Sequence, residues 1–342
     1  MPPVLNANAR KNFTACGDVK AEELLEKVLS EMKERFSGTD LCVVLGGSYG
    51  RGDGGVRQDQ ENGILYNDLD FFVFARKKCD NAGILLKEIA GKYEKELKVD
   101  VDFSRIMSIK DIKNNAGRLM MQELKRGYRL VAGEDLLAEY LPEFPADKLP
   151  FSEACRLLLN RGMGLLLAGN KIAGNSGDTD FILRNINKAI LGACDAYLIA
   201  EHKYQWHIEE RLVEINNSEL SSTCKKLYAG AVEFKKSPHR EIRQDLMELW
   251  SAARDIFREC VENICGDWCI YTYDNCKKSG ENSLKNFMKY CIKSRALPLR
   301  NWRYYTMPPV AVLADMVYWE LENMPDKAVE QSKLYQQWLI FN

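Results

Sequence analysis

Four aspartates lie in two short stretches that alternate like β-strands. Asp68 and Asp70 belong to YNDLDFFVFA, and Asp100 and Asp102 belong to KVDVDF. Residues two apart in a strand project from the same face, so each pair would present two neighbouring carboxylates. A desolvated carboxylate is costly, and like charges at this spacing repel unless a cation compensates them. The two pairs therefore predict a cation site on one face of a sheet.

The oxygen-only donor set of these aspartates favours Mg²⁺. This ion binds through one or two carboxylates, several waters and the oxygens of a bound phosphate. Three acids from two strands suit a site with two metal ions that catalyses phosphoryl transfer. We therefore expect two Mg²⁺ ions to be the cofactors.

A glycine-rich turn follows the apolar run LCVVL and reads Gly46-Gly47-Ser48. Glycine allows backbone N–H groups to approach an anion closely, and the Ser48 hydroxyl adds a donor. Arg51 would supply positive charge to the same anion. A phosphate at the turn and a metal at the carboxylates together describe one ligand, a nucleoside triphosphate with Mg²⁺.

At these residues the sequence resembles the nucleotidyltransferase superfamily, which includes DNA polymerase β, the aminoglycoside nucleotidyltransferases and the minimal nucleotidyltransferases. The resemblance implies that Gly47 and Ser48 bind the triphosphate and that Asp68 and Asp70 hold both metal ions. It also implies a third acid that shares one metal and helps to activate the attacking hydroxyl. Asp100 is preferred for this role because its apolar-Asp-apolar context is similar to that of the family strand. Asp102 stays the alternative because it shares the same strand face.

Two further segments extend or modify this resemblance. Residues 185–204 are similar to a helix of the helical domain of the small-molecule enzymes, where Lys188 would reach the phosphates. Residues 53–67 lengthen the family's loop between Ser48 and Asp68. We interpret them as an insertion at the mouth of the site.

The elements that must position these residues change in character near residue 145. Helical and strand periodicities alternate before it, and one helix is predicted at 108–127 with Ser108 as its N-cap. Three prolines between residues 142 and 150 form a linker, and nearly everything beyond is helical. The prediction is an α+β protein: a small mixed-sheet nucleotidyltransferase domain with flanking helices at 1–145, then a helical-bundle domain at 151–342 that caps substrate and nucleotide.

Composition limits the classes of partner. Hydrophobic residues make up 46% and charged residues 28% of the chain, which is ordinary for a soluble globular protein. The formal net charge of -1 argues against a dedicated nucleic-acid binder. No apolar run is long enough to span a membrane, so we expect a cytoplasmic protein without a membrane partner.

The predicted function is Mg²⁺-dependent transfer of a nucleoside monophosphate, AMP from ATP, to a hydroxyl acceptor. The expected acceptor is a small molecule such as an aminoglycoside-like compound. Two alternatives stay open. One is nucleotidylation of a macromolecule, either a protein side chain or an RNA end. The other is a nucleotide-binding module that has lost its chemistry.

The 11 cysteines are scattered along the chain. Cys42, Cys155 and Cys194 lie in helical or strand patterns, as small buried hydrophobic residues would. A second group consists of Cys260, Cys265, Cys269 and Cys276. Its spacing lacks the paired C-x2-C of structural zinc sites. We interpret these as helix-packing and turn positions, with a metal or disulfide role as the less favoured alternative.

Overall fold

The computed structural model describes residues 4–5, 11–57, 64–77, 82–236, 238, 245–265, 288, 291–292, 309–323, 329 and 332–341. The chain divides into two compact units. Unit 1 comprises Met1–Phe144 with Glu233–His239, and unit 2 comprises Pro145–Val232 with Arg240–Asn342. Unit 1 contains a mixed sheet and unit 2 is helical, which confirms the predicted α+β class.

The sheet of unit 1 places the acidic strands beside each other. Its strands are β1 (Val4–Leu5), β2 (Leu41–Leu45), β3 (Leu69–Ala75), β4 (Val101–Phe103), β5 (Met107–Ser108) and β6 (Arg129–Ala132). The order is β1-β6-β2-β3-β4, and β5 also pairs with β3. Strand β2 runs antiparallel to both β6 and β3, whereas β3 runs parallel to β4 and β5.

Helices cover both faces of this sheet. They are α1 (Val19–Arg35), α2 (Gly47–Arg51), α3 (Ala82–Leu97), α4 (Ile109–Asn114), α5 (Leu119–Arg126) and α6 (Leu136–Tyr140). Leu69, Phe71 and Val73 of β3 share one apolar cluster with residues of α1 and α3. Phe74, on the opposite face of the strand, shares a second cluster with residues of α4, α5 and α6. The period of two in β3 thus builds two cores.

The single helix predicted at 108–127 is wrong, because the chain forms α4 and α5 with a break between them. The predicted cap at Ser108 is confirmed: its hydroxyl accepts from the Asp111 N–H, and the Asp111 carboxylate accepts from the Ser108 N–H. The sequence Asn-Asn-Ala-Gly at 114–117 explains the break, since asparagine and glycine are weak helix formers.

The buried amide of Gln122 provides the polar contacts that the broken helix lacks. Its Nε2 donates to the carbonyl oxygens of Ala116 at 2.7 Å and Pro142 at 3.0 Å. Its Oε1 accepts from the Phe144 N–H at 3.1 Å. The side chain is fully buried, so these backbone groups depend on it for their partners.

The helices after residue 145 begin with a short 3-10 turn at Ala146–Lys148. They are α7 (Phe151–Ala173), α8 (Thr179–Ala200), α9 (Ile208–Asn216), α10 (Ser222–Lys236), α11 (Leu246–Cys265), α12 (Pro309–Asn323) and α13 (Lys333–Phe341). Helix α7 packs along α8 and α12, and α11 packs against α8. Trp250 of α11 is buried and donates its indole N–H to the Leu165 carbonyl at 2.7 Å. In the described part of the chain, no helix combines the length and the apolar character needed to cross a membrane.

We expect Gln122→Leu to lower the free energy of unfolding by about 2–4 kcal/mol, because it leaves buried backbone groups without partners. Urea denaturation followed by circular dichroism measures this change. The control is Asn114→Leu, which replaces an exposed amide in the same region and should change stability by less than about 0.5 kcal/mol. Equal losses in the two variants would contradict the role given to Gln122.

Candidate active site

The turn after β2 lies directly against the carboxylate of Asp70. Leu45 pairs with Phe71, and the next N–H along, that of Gly46, donates to the Asp70 carbonyl at 2.8 Å. Gly47 has a φ of 60°. A Cβ atom at Gly47 would lie 2.1 Å from Asp70 Oδ2, so only glycine fits between the turn and the carboxylate.

The strand register brings Asp70 and Asp102 together. Asp68 immediately precedes β3, and Asp70 is the second residue of that strand. In the parallel β3–β4 ladder Asp70 is the register partner of Asp102. Asp100 precedes β4, and its carbonyl accepts from the Leu69 N–H at 2.9 Å. Register partners project from the same face, so Asp102 stands beside Asp70.

The acidic side chains lie within each other's electric fields. Burial raises the pKa of Asp102, and the negative charges of Asp68, Asp100 and Glu94 raise it further. Among the described residues, no three carboxylates bring one oxygen each within 4.8 Å of one another. A hard divalent cation would relieve the electrostatic repulsion between Asp102 and the neighbouring carboxylates. Carboxylate oxygens are the donors that Mg²⁺ prefers. The chemistry of these donors therefore fits Mg²⁺.

Tyr49 is a residue of this region that the sequence reasoning missed. Its hydroxyl donates to the Gly55 carbonyl at 2.7 Å and accepts N–H bonds from Tyr66 at 3.0 Å and Asn67 at 3.2 Å. Burial raises the pKa of Tyr49, so the hydroxyl keeps its proton for the first of these bonds. Tyr49 therefore fixes the backbone that enters Asp68. Its signal in the sequence is a large aromatic residue within a loop of glycines and polar residues.

The predicted insertion at 53–67 is paired near both of its ends. Val56 and Leu65 form an antiparallel bridge, and the Arg57 N–H donates to the Ile64 carbonyl at 2.8 Å. The side-chain oxygen of Asn67 accepts from the Gly55 N–H at 2.7 Å. Residues 58–63 of the insertion lie outside the described residues.

The predicted phosphate-binding residues have different surroundings. Ser48 is half-buried in the first turn of α2, and its carbonyl accepts from the Asp53 N–H at 2.8 Å. Arg51 forms an ion pair with Asp53, with Nε 3.7 Å from Oδ2, and its side chain passes over Gly127, where a Cβ would lie 2.4 Å from Arg51 Cγ. Lys188 is exposed on α8, which belongs to unit 2.

We expect Gly47→Ala to cost more stability than Gly38→Ala. Both glycines have positive φ, but a Cβ at Gly38 meets nothing within 4 Å. The Gly38 variant should lose about 1 kcal/mol from backbone strain alone, whereas the Gly47 variant adds a collision with Asp70. Urea denaturation of both proteins measures the difference. Equal losses would show that the turn does not lie against Asp70.

We expect Asp102→Asn to stabilise unit 1 at neutral pH in the presence of EDTA. The folded-state pKa of Asp102 is raised. The contribution that protonated Asp102 makes to the stability of the folded state is therefore fully present below the ordinary aspartate pKa of about 3.9, and it is lost as pH rises through the folded-state pKa. The gain from Asp102→Asn should therefore appear above that window and vanish below it. Denaturation curves between pH 4 and 8 test this, and a gain independent of pH would contradict it.

The N-terminal part of the chain matches a family model. Residues 6–99 match the model of a family described as "Putative nucleotidyltransferase DUF294". The matched segment contains Gly47, Ser48, Asp68 and Asp70 and ends just before Asp100. No curated protein matches the chain. The match supports nucleotidyl transfer as the general chemistry of this segment and agrees with the resemblance seen in its glycine turn and paired aspartates.

Proposed function

We propose that the chain is an enzyme that transfers AMP from ATP to a hydroxyl group of a small molecule, such as an aminoglycoside-like compound. The observation that carries this proposal is the Gly46-Gly47 turn placed against Asp70, with Asp68 and Asp102 beside it. The turn and the first aspartate pair fall within the segment that is similar to a nucleotidyltransferase family. The net charge of -1 supports a small acceptor over a nucleic acid.

Asp68 and Asp70 are proposed to hold two Mg²⁺ ions. When bound, these ions would neutralise triphosphate charge and lower the pKa of the acceptor hydroxyl. Gly47 offers its backbone N–H and Ser48 its hydroxyl to the phosphate oxygens. Arg51 and Lys188 are proposed to add positive charge at the leaving pyrophosphate.

The third carboxylate is assigned to Asp102 in preference to Asp100, which the family resemblance favoured. Asp102 is the register partner of Asp70, and Asp68 is the charged neighbour that raises its pKa most. A carboxylate with a raised pKa is the better proton acceptor. It accepts the hydroxyl proton while the acceptor oxygen bonds to the α-phosphorus and the bond to the β-phosphate oxygen breaks, releasing pyrophosphate.

The helical region at 151–342 is proposed to recognise the acceptor and to cap the nucleotide. The reaction is proposed to take place in the cytoplasm. Lys188 is the residue of this region assigned to phosphate binding. The paired segment at 53–67 is proposed to form part of the acceptor site.

The decisive experiment measures melting temperature with each of the four nucleoside triphosphates, with and without Mg²⁺. Wild type should gain several degrees with ATP and Mg²⁺ together, because a ligand that binds only the folded state stabilises it. Asp68→Asn/Asp70→Asn should show no gain, and Asp40→Asn, an exposed aspartate outside the site, should behave as wild type. If no nucleotide raises the melting temperature of the wild type, the result would favour the alternative that the chain has lost its catalytic activity.

Pyrophosphate release then identifies the acceptor and the third acid. Release with an aminoglycoside-like compound should fall at least about a hundredfold in Asp102→Asn and far less in Asp100→Asn. The reverse order would assign the role to Asp100. Transfer of labelled AMP to RNA with a steep salt dependence, or to protein, would replace the small acceptor by a macromolecular one.

A further inference from the structure

Three cysteines from three helices meet inside unit 2. Cys194 of α8, Cys224 of α10 and Cys260 of α11 are each fully buried. Cys194 Sγ lies 3.6 Å from Cys224 Sγ and 3.9 Å from Cys260 Sγ, and all three sulfur atoms lie within 4.8 Å of one another. Within the described residues this is the one group of three potential metal ligands at such spacing.

This cluster differs from the group of cysteines identified by sequence spacing, in which Cys260 was grouped with Cys265, Cys269 and Cys276. The side chain of Cys265, and Cys269 and Cys276 altogether, lie outside the described residues. Cys194 is buried as predicted, but its neighbours are other thiols rather than only apolar side chains.

The sulfur separations match those of thiolates around one metal ion. A Zn–S bond of about 2.3 Å places two sulfur ligands roughly 3.8 Å apart in tetrahedral geometry and roughly 4.0 Å apart in trigonal geometry. The two short separations in this cluster therefore need little adjustment to surround an ion. A disulfide would instead require two sulfur atoms to approach to about 2.05 Å, well below the 3.6 Å that separates Cys194 Sγ from Cys224 Sγ.

The charges around the cluster favour a divalent ion. Three thiolates with a divalent ion leave one net negative charge, whereas a monovalent ion leaves two, and buried net charge is costly. Near Cys224, Glu259 and Lys225 place charges of opposite sign, and Glu259 acts more strongly than Lys225.

We propose that Cys194, Cys224 and Cys260 form a three-thiolate site that binds a soft divalent metal ion, Zn²⁺, and joins helices α8, α10 and α11. Starting from three thiols, binding forms three Zn–S bonds and releases three protons to solvent. Soft sulfur ligands select ions of this class. The site lies in the helical unit, and the proposal is independent of the nucleotidyl transfer proposed for unit 1.

The test titrates Co²⁺ and Zn²⁺ into the full chain, purified with a reductant and a chelator and then freed of the chelator. Wild type should bind one equivalent of Co²⁺ with sulfur-to-cobalt charge-transfer absorption in the near ultraviolet, and Zn²⁺ should displace it. Cys194→Ser, Cys224→Ser and Cys260→Ser should each lose this absorption or weaken binding more than about tenfold. Cys155→Ser removes another fully buried cysteine of unit 2 and should bind as wild type.

Several results would overturn the proposal. One is wild-type protein that binds no metal, and another is metal binding that survives in all three variants of the cluster. A Cys194–Cys224 disulfide found by mass spectrometry in the reduced preparation would replace the metal site by a redox pair. If the serine variants do not fold, alanine variants at the same three positions replace them, because alanine keeps the interior apolar. The wild-type titration alone still decides whether thiolate–metal bonds form.

Discussion

The hydrogen bond from the Gly46 N–H to the Asp70 carbonyl is the interaction on which the candidate site depends. It continues the β2–β3 ladder one step beyond Leu45, so α2 starts while the chain is still in contact with β3. The absence of a side chain at Gly47 then allows the turn to approach the Asp70 carboxylate. Ser48 and Tyr49 follow in α2, so their positions depend on this contact.

Strand β3 reconciles two opposing requirements. Its odd-numbered side chains are buried in the core formed with α1 and α3. On the other face, Phe74 is buried and Phe72 and Asp70 are half-buried, so the carboxylates stand where the apolar layer under α4–α6 ends. A strand can therefore be central to the fold and still keep two acids partly hydrated, which reduces the cost of their charge.

The sequence predicted which aspartates share a strand face, but it did not predict the register between the two strands. Alternation alone places Asp68 with Asp70 and Asp100 with Asp102, because a strand has a period of two. Which acid of the second pair stands beside Asp70 depends on how β4 slides along β3, and no local pattern encodes that sliding. The short helix α2 was also missed, since it depends on contacts such as those of Tyr49. The break at 114–117 was missed although the weak helix formers there are a local signal for it. The cysteine cluster joins residues on three helices and has no local spacing to reveal it.

The pairing near both ends of the 53–67 segment holds the chain that leads to the candidate site independently of the middle of the segment. Tyr49 fixes the chain just before Asp68, and the Arg57–Ile64 hydrogen bond closes the segment above it. The chain that enters Asp68 is therefore held by hydrogen bonds from the described ends of the segment, at residues 55–57 and 64–67. Once such a base is closed, the length of the loop beyond it costs little free energy.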